Sequence, residues 1–230
     1  MQNIDFLMAL IFTHLLGDFV FQTSKLAQSK AESIRGVLKH VIIVFIINIV
    51  FLFNYGMLGE VIAIITTGTH FFIDYSKMKT KRYYKITSIH SIIDQIFHFA
   101  VISICYYCFR NIVNAPIIKL EYIGILNYLI IITYVSTVIA KMMLCDICKN
   151  QTIPCEFFKK NERIFDSFII LAIVFSFINT ILGITVLVIA ATIFYFVEIN
   201  YFKFSQKQTI LKAVVYLVFA CAFRFLVNLS

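Results

Sequence analysis

The chain has 230 residues, 61% of them hydrophobic and only 14% charged, with a mean hydropathy of +0.91. Such a balance excludes a water-soluble globular domain and defines an integral membrane protein. The net charge of +8 does not point to nucleic acid, because basic stretches such as SKMKTKRYYK alternate with aromatics as membrane-interface belts do. The expected partner is membrane lipid.

The first apolar run, 4–23, has no basic segment ahead of it and already carries His14, Asp18 and Gln22. It is expected to remain as a membrane helix and not to be cleaved as a signal. The run 37–56 opens near His40, 57–76 carries His70 and Asp74, and 88–108 carries His90, Asp94, Gln95 and His98. Four further runs follow at 122–141, 163–180, 182–200 and 209–228. The stretch from Arg163 to Tyr201 is too long for one crossing, so Asn179, Thr180 and Gly183 are expected to turn it into a hairpin. The predicted fold is all-α, a polytopic transmembrane helical bundle of about eight spans. Residues 1–110 would form a four-helix unit and 111–230 a second helical half with a cysteine-containing loop, the two making one integrated membrane domain.

Segments 24–39, 77–87, 141–163 and 198–212 hold 17 of the 20 lysines and arginines, whereas Arg110, Lys119 and Arg224 fall on the alternate side. The positive-inside tendency therefore places these basic connections in the cytoplasm and both termini outside. With that orientation, the ionisable residues of all four N-terminal spans lie within about 15 Å of one membrane face, at about 1.5 Å per residue. Ionisable groups inside a bilayer are costly and mark function. The pairs His14/Asp18, His70/Asp74 and His90/Asp94 repeat at i, i+4, with His98 one turn further, so each pair stacks on one helix face.

Imidazole with carboxylate suits zinc, with manganese, iron or nickel as alternatives, while magnesium and calcium favour oxygen alone. The expected ligands are His14, Asp18, His40, His70, Asp74, His90, Asp94 and His98, supported by Gln22, Lys25 and Gln95. Asp18, Asp94 and His98 are the candidates to take a proton from a metal-activated water. Gly17 and Gly68 are expected to let helices approach closely beside the polar groups.

The expected activity is a metal-dependent hydrolase acting on a lipid or lipid-linked ester, amide or phosphoester at the cytoplasmic leaflet. The alternatives are a proton- or metal-coupled transporter and a non-catalytic scaffold or sensor subunit. The four N-terminal spans contain no proline-broken segment of the kind that transporters use. Neither a Gly-rich phosphate loop, a GxSxG elbow nor an HExxH helix occurs.

The segments HLLGDFVFQTSKLAQSK, LKH, HFFIDYSK and HSIIDQIFHF resemble the bacterial inner-membrane proteins grouped as domain-of-unknown-function family 3307. The resemblance covers mainly residues 12–100 and falls on His14, Asp18, Gln22, Lys25 or Lys30, His40, His70, Asp74, Asp94, Gln95 and His98. In the second half only NERIFDSFIILAI is similar to a family segment, with Glu162 and Arg163 opening a helical hairpin. The resemblance implies a multi-pass protein with a functional polar cluster, and no particular activity.

Glu162 and Arg163 are expected either to neutralise one another or to project towards the cluster. Cys145, Cys148 and Cys155 read as reduced loop thiols, since a zinc knuckle needs a second ligand pair. Cys105 and Cys108 read as packing residues.

Overall fold

The computed structural model describes residues 4–80, 87–118, 122–147, 160–176, 180–202 and 204–229. It is all-helical and divides into two compact units, Met1–Ile130 and Ile131–Ser230.

In the first unit, α1 (Ile4–Leu15) runs into a π-helical turn (Leu16–Val20) and then breaks. The chain turns by 92° into α2 (Ser24–Glu32). No proline makes this bend. Thr23, in an extended conformation, starts α2 by accepting a hydrogen bond from Leu26 N–H at 3.3 Å. Ser33 repeats the device for α3 (Ile34–Leu52), accepting from Gly36 N–H at 3.1 Å and donating back to Ser29 O. Such caps satisfy backbone N–H groups that a helix start leaves open. Gly36 is required here: a Cβ on it would stand 2.1 Å from the Ser29 carbonyl.

α3 and α4 (Gly56–Thr80) pack as a hairpin. Gly56 makes the turn with φ +71°, a conformation that costs glycine little. A Cβ on Gly59 would lie 1.9 Å from Leu52 O, so the two helices meet backbone to backbone there. Asn48 links them by donating to Thr66 and Thr67. α5 (Thr87–Phe109) packs on α1 and α4, and α6 (Ile123–Ile130) packs on α1, where Asn127 donates to Met8 O at 2.9 Å.

The outward face of α3 is apolar: Leu38, Ile42, Ile46 and Val50, spaced one turn apart, are exposed, while His40, Val44 and Ile47 are buried. A polar interior inside an apolar surface suits a lipid surround.

The second unit begins with a π-helical turn (Ile131–Val135) leading into α7 (Ser136–Ile147), followed by α8 (Lys160–Ser176), α9 (Thr180–Asn200) and α10 (Gln206–Leu229). Its apolar core joins Ile132, Ala140, Ile170, Phe194, Tyr216 and Ala220. α8 and α9 are separate helices, as the long 163–201 run required; of the residues expected to turn between them, Thr180 and Gly183 lie inside α9 and Asn179 lies outside the described residues.

By length and apolarity, three described helical stretches qualify as membrane-spanning, Ile34–Thr80, which holds both arms of the α3–α4 hairpin, Ser88–Phe109 and Ile123–Asp146, and a fourth if the bent pair Ile4–Val20 and Ser24–Glu32 counts as one. Ile164–Phe175 and Val186–Asn200 are apolar but shorter.

Cys105, Cys108, Cys145 and Cys221 form no disulfide; Cys145, expected in a loop, lies within α7, and Cys148 and Cys155 lie outside the described residues.

Candidate metal centre

The cluster forms because helices with different chain directions bring their polar stripes to one interior point. The π-helical turn carries Asp18, α3 carries His40, α4 carries His70 and Asp74, and α5 carries Asp94 and His98. All are buried, with 5% or less of their surface exposed. A π-helical turn inside an α-helix frequently marks a functional position, and here it holds the most connected aspartate.

Asp18 Oδ1 lies 2.9 Å from His40 Nε2 and 3.3 Å from His70 Nε2, and the two imidazole nitrogens are 3.0 Å apart. Asp74 Oδ2 lies 3.5 Å from His40 Nε2 and 3.2 Å from His70 Nε2. Donors sharing one tetrahedral zinc at ~2.0–2.2 Å stand about 3.2–3.6 Å from one another. The observed separations fall close to that range, and Asp18, His40 and His70 form one of three donor groups compact enough to hold an ion. His14, His70 and His98 form another, and Asp18, Asp94 and His98 the third.

Two atoms extend the site. His98 Nε2 lies 3.7 Å from both Asp74 Oδ1 and Asp94 Oδ1, and among the described residues neither His98 Nε2 nor Asp94 Oδ1 closes a hydrogen bond. Buried polar atoms are normally satisfied, so open lone pairs here fit a ligand. Gln95 ties the parts together: its amide donates to Asp18 Oδ2 at 3.0 Å and Asp94 Oδ2 at 3.3 Å, while its carbonyl accepts from His14 Nε2 at 3.0 Å. His14 thus orients Asp18 through Gln95.

Two lysines complete the charge pattern. Lys30, on α2, pairs with Asp74 at 2.9 Å and reaches Asp18 at 3.9 Å. Lys77, on the last turn of α4, pairs with Asp94 at 2.7 Å. Of the two lysines that the resemblance left open, Lys30 enters the site and Lys25 is exposed. Lys77 was not anticipated; its signal was a lysine one turn beyond His70/Asp74 on the same helix. With neutral histidines, three aspartates and two lysines leave the centre one negative charge.

Other expectations shift. His90, on the first turn of α5, faces Thr80 Oγ1 at 3.3 Å, and among the described residues no compact donor group includes it. Gln22 falls in the bend after the π-helical turn, with its carbonyl oxygen buried and unbonded. Gly17 does mark a close approach, its missing Cβ lying 2.9 Å from Val44 Cγ2, whereas a Cβ on Gly68 would meet nothing within 4 Å. Glu162 is paired with Lys141 at 2.8 Å and Lys212 at 3.5 Å; the side chain of Arg163 lies outside the described residues. A cavity of about 20 Å³ adjoins the cluster, lined among others by Thr13, His14, Asn48, His70 and His98. That volume suits one water or one ion.

Fold and site together define a helical protein with apolar, span-length helices and a buried His/Asp centre. The chain belongs to the family described as protein of unknown function (DUF3307), whose model matches residues 6–126. No curated protein and no solved structure matches the chain.

Proposed function

We propose that residues 6–126 hold a divalent metal, zinc first, in a multi-pass protein of the bacterial inner membrane, and that the centre hydrolyses a lipid or lipid-linked substrate at the cytoplasmic leaflet. The bundle would cross eight times, with basic connections inside and both termini outside. One observation carries the reading: Asp18, His40 and His70, from three elements, bring their donor atoms within 3.3 Å of one another in a buried site.

Asp18, His40, His70 and Asp74 would hold the ion, which when bound supplies a water whose pKa falls towards about 7. Asp94 and His98, with their open lone pairs, would receive a proton. Lys77, whose side chain is 26% exposed against 10% for Lys30, stands at the outer edge of the site and would meet an anionic headgroup. Adding a divalent ion turns the charge of the five ionised groups from minus one to plus one, which suits a phosphoester or a developing oxyanion.

Proton- or metal-coupled transport is the second reading, favoured by the break between α1 and α2 beside the polar centre and by the ion-sized cavity. Discontinuous helices at a polar midpoint are a transporter device. The test uses the full chain purified in micelles with zinc, offered lipid esters, amides and phosphoesters. Hydrolysis that stops with chelator, and in Asp94→Asn protein that retains its metal, supports the enzyme. Metal entering sealed vesicles without hydrolysis replaces it with transport.

A further inference from the structure

The second unit contains a buried polar centre of different chemistry, with carboxylates and lysines and no histidine. Lys212 Nζ, on α10, stands 2.9 Å from Glu198 Oε1 on α9, 3.0 Å from Asp166 Oδ2 and 3.5 Å from Glu162 Oε1, both on α8. Lys141, on α7, takes the other oxygen of Glu162 at 2.8 Å. Lys212, Asp166 and Glu198 are at most 1% exposed. The Phe204 and Phe194 rings lie 4.8 and 5.9 Å from the Lys212 ammonium and shield it from water.

Charge and hydrogen bonding both remain unbalanced. Among the described residues three carboxylates face two lysines, leaving one negative charge in an apolar interior where an uncompensated charge is expensive. Lys212 has only three protons to give. Among the described residues Asp166 Oδ1 and Glu198 Oε2 are buried without a hydrogen-bond partner. Tyr216, one turn after Lys212, is fully buried, and among the described residues its hydroxyl closes no hydrogen bond. Tyr216 and these carboxylate oxygens are open polar atoms of a buried cluster that, among the described residues, is one positive charge short.

We infer that the second unit holds an ion site of its own, in which Glu162, Asp166 and Glu198 surround Lys212 and bind one small monovalent cation, a proton or a sodium ion. Lys212 and Lys141 neutralise two of the carboxylates, and the bound cation neutralises the third. Asp166 Oδ1, Glu198 Oε2 and the Tyr216 hydroxyl supply its contacts. The site shares no residue with the His/Asp centre and stands whether or not that centre binds metal.

The experiment is infrared difference spectroscopy on the full chain in micelles at neutral pH, in sodium-free buffer and again in sodium chloride. Parent protein, Asp166→Asn and Glu198→Gln are compared. A protonated-carboxyl C=O band that persists in both buffers and is lost in either variant establishes the proton. Labelling the glutamate carboxyl carbon assigns the band without mutation, because the carboxylates of the His/Asp centre are all aspartates. Absence of that band together with a rise in thermal midpoint specific to sodium over potassium, lost in either variant, establishes sodium. If the parent shows neither signal, or if both survive unchanged in the two variants, the inference is overturned.

Discussion

Lys30 holds Asp74 at 2.9 Å and Asp18 at 3.9 Å from α2, which packs on α3 and α4. Removing one partner of a buried ion pair leaves the other charge uncompensated, at a cost of about 3–5 kcal/mol. Lys30→Met is therefore expected to lower the thermal midpoint strongly, with partial recovery in Lys30→Met/Asp74→Asn, while Lys25→Met leaves it unchanged; thermal unfolding in micelles reads all three. The sequence exposed the histidine centre well because i, i+4 spacing puts His14/Asp18 and His70/Asp74 on single faces. It misled at His90, where the first turn of α5 points the ring at Thr80. It left Lys30 undecided against Lys25 and concealed Lys77 and Lys212 for a different reason: a long, flexible lysine near a helix end reads as an interface anchor, and only packing shows its head turned inward.

At the scale of the elements, the joint between α2 and α3 decides whether Lys30 reaches its aspartates. A methyl group on Gly36 collides with the Ser29 backbone, which has no flexible end to yield. Gly36→Ala is expected to destabilise by about 1–3 kcal/mol, as overpacking does, and to loosen α2. Gly68→Ala, with open space around it, should gain about 0.5–1 kcal/mol of helix propensity. Thermal unfolding of the pair checks the contrast. Hydropathy marked the helices, including the separation of α8 from α9, because each apolar run has helical length. The bend at residues 21–23 escaped it: no proline or glycine marks the site, and only the Thr23 cap betrays a new start. Asp166 and Glu198 stood in apolar runs and carried the same signal as the histidines, an ionisable group where none is cheap.

For the whole molecule, the lysine count that suggested orientation needs revision. Of the 17 basic residues assigned to one side, Lys30, Lys77, Lys141 and Lys212 are counter-ions of buried carboxylates. The remaining 13 still outnumber the opposite side. A cysteine introduced at Ile112 should react with an impermeant maleimide on intact cells, and one at Lys79 only after lysis; the reverse pattern inverts the proposed orientation.

Metal bound only to the folded chain also stabilises it, by about 2.7 kcal/mol at a hundredfold excess over Kd. Chelation should therefore lower the thermal midpoint of the parent and leave that of His70→Ala unmoved. The most direct measurement is elemental analysis of the purified full chain. It should find about one divalent ion per chain in the parent and in His90→Ala, and close to none in His70→Ala, whose imidazole would supply a central ligand. A metal-free parent, or undiminished metal in His70→Ala, would contradict the metal centre.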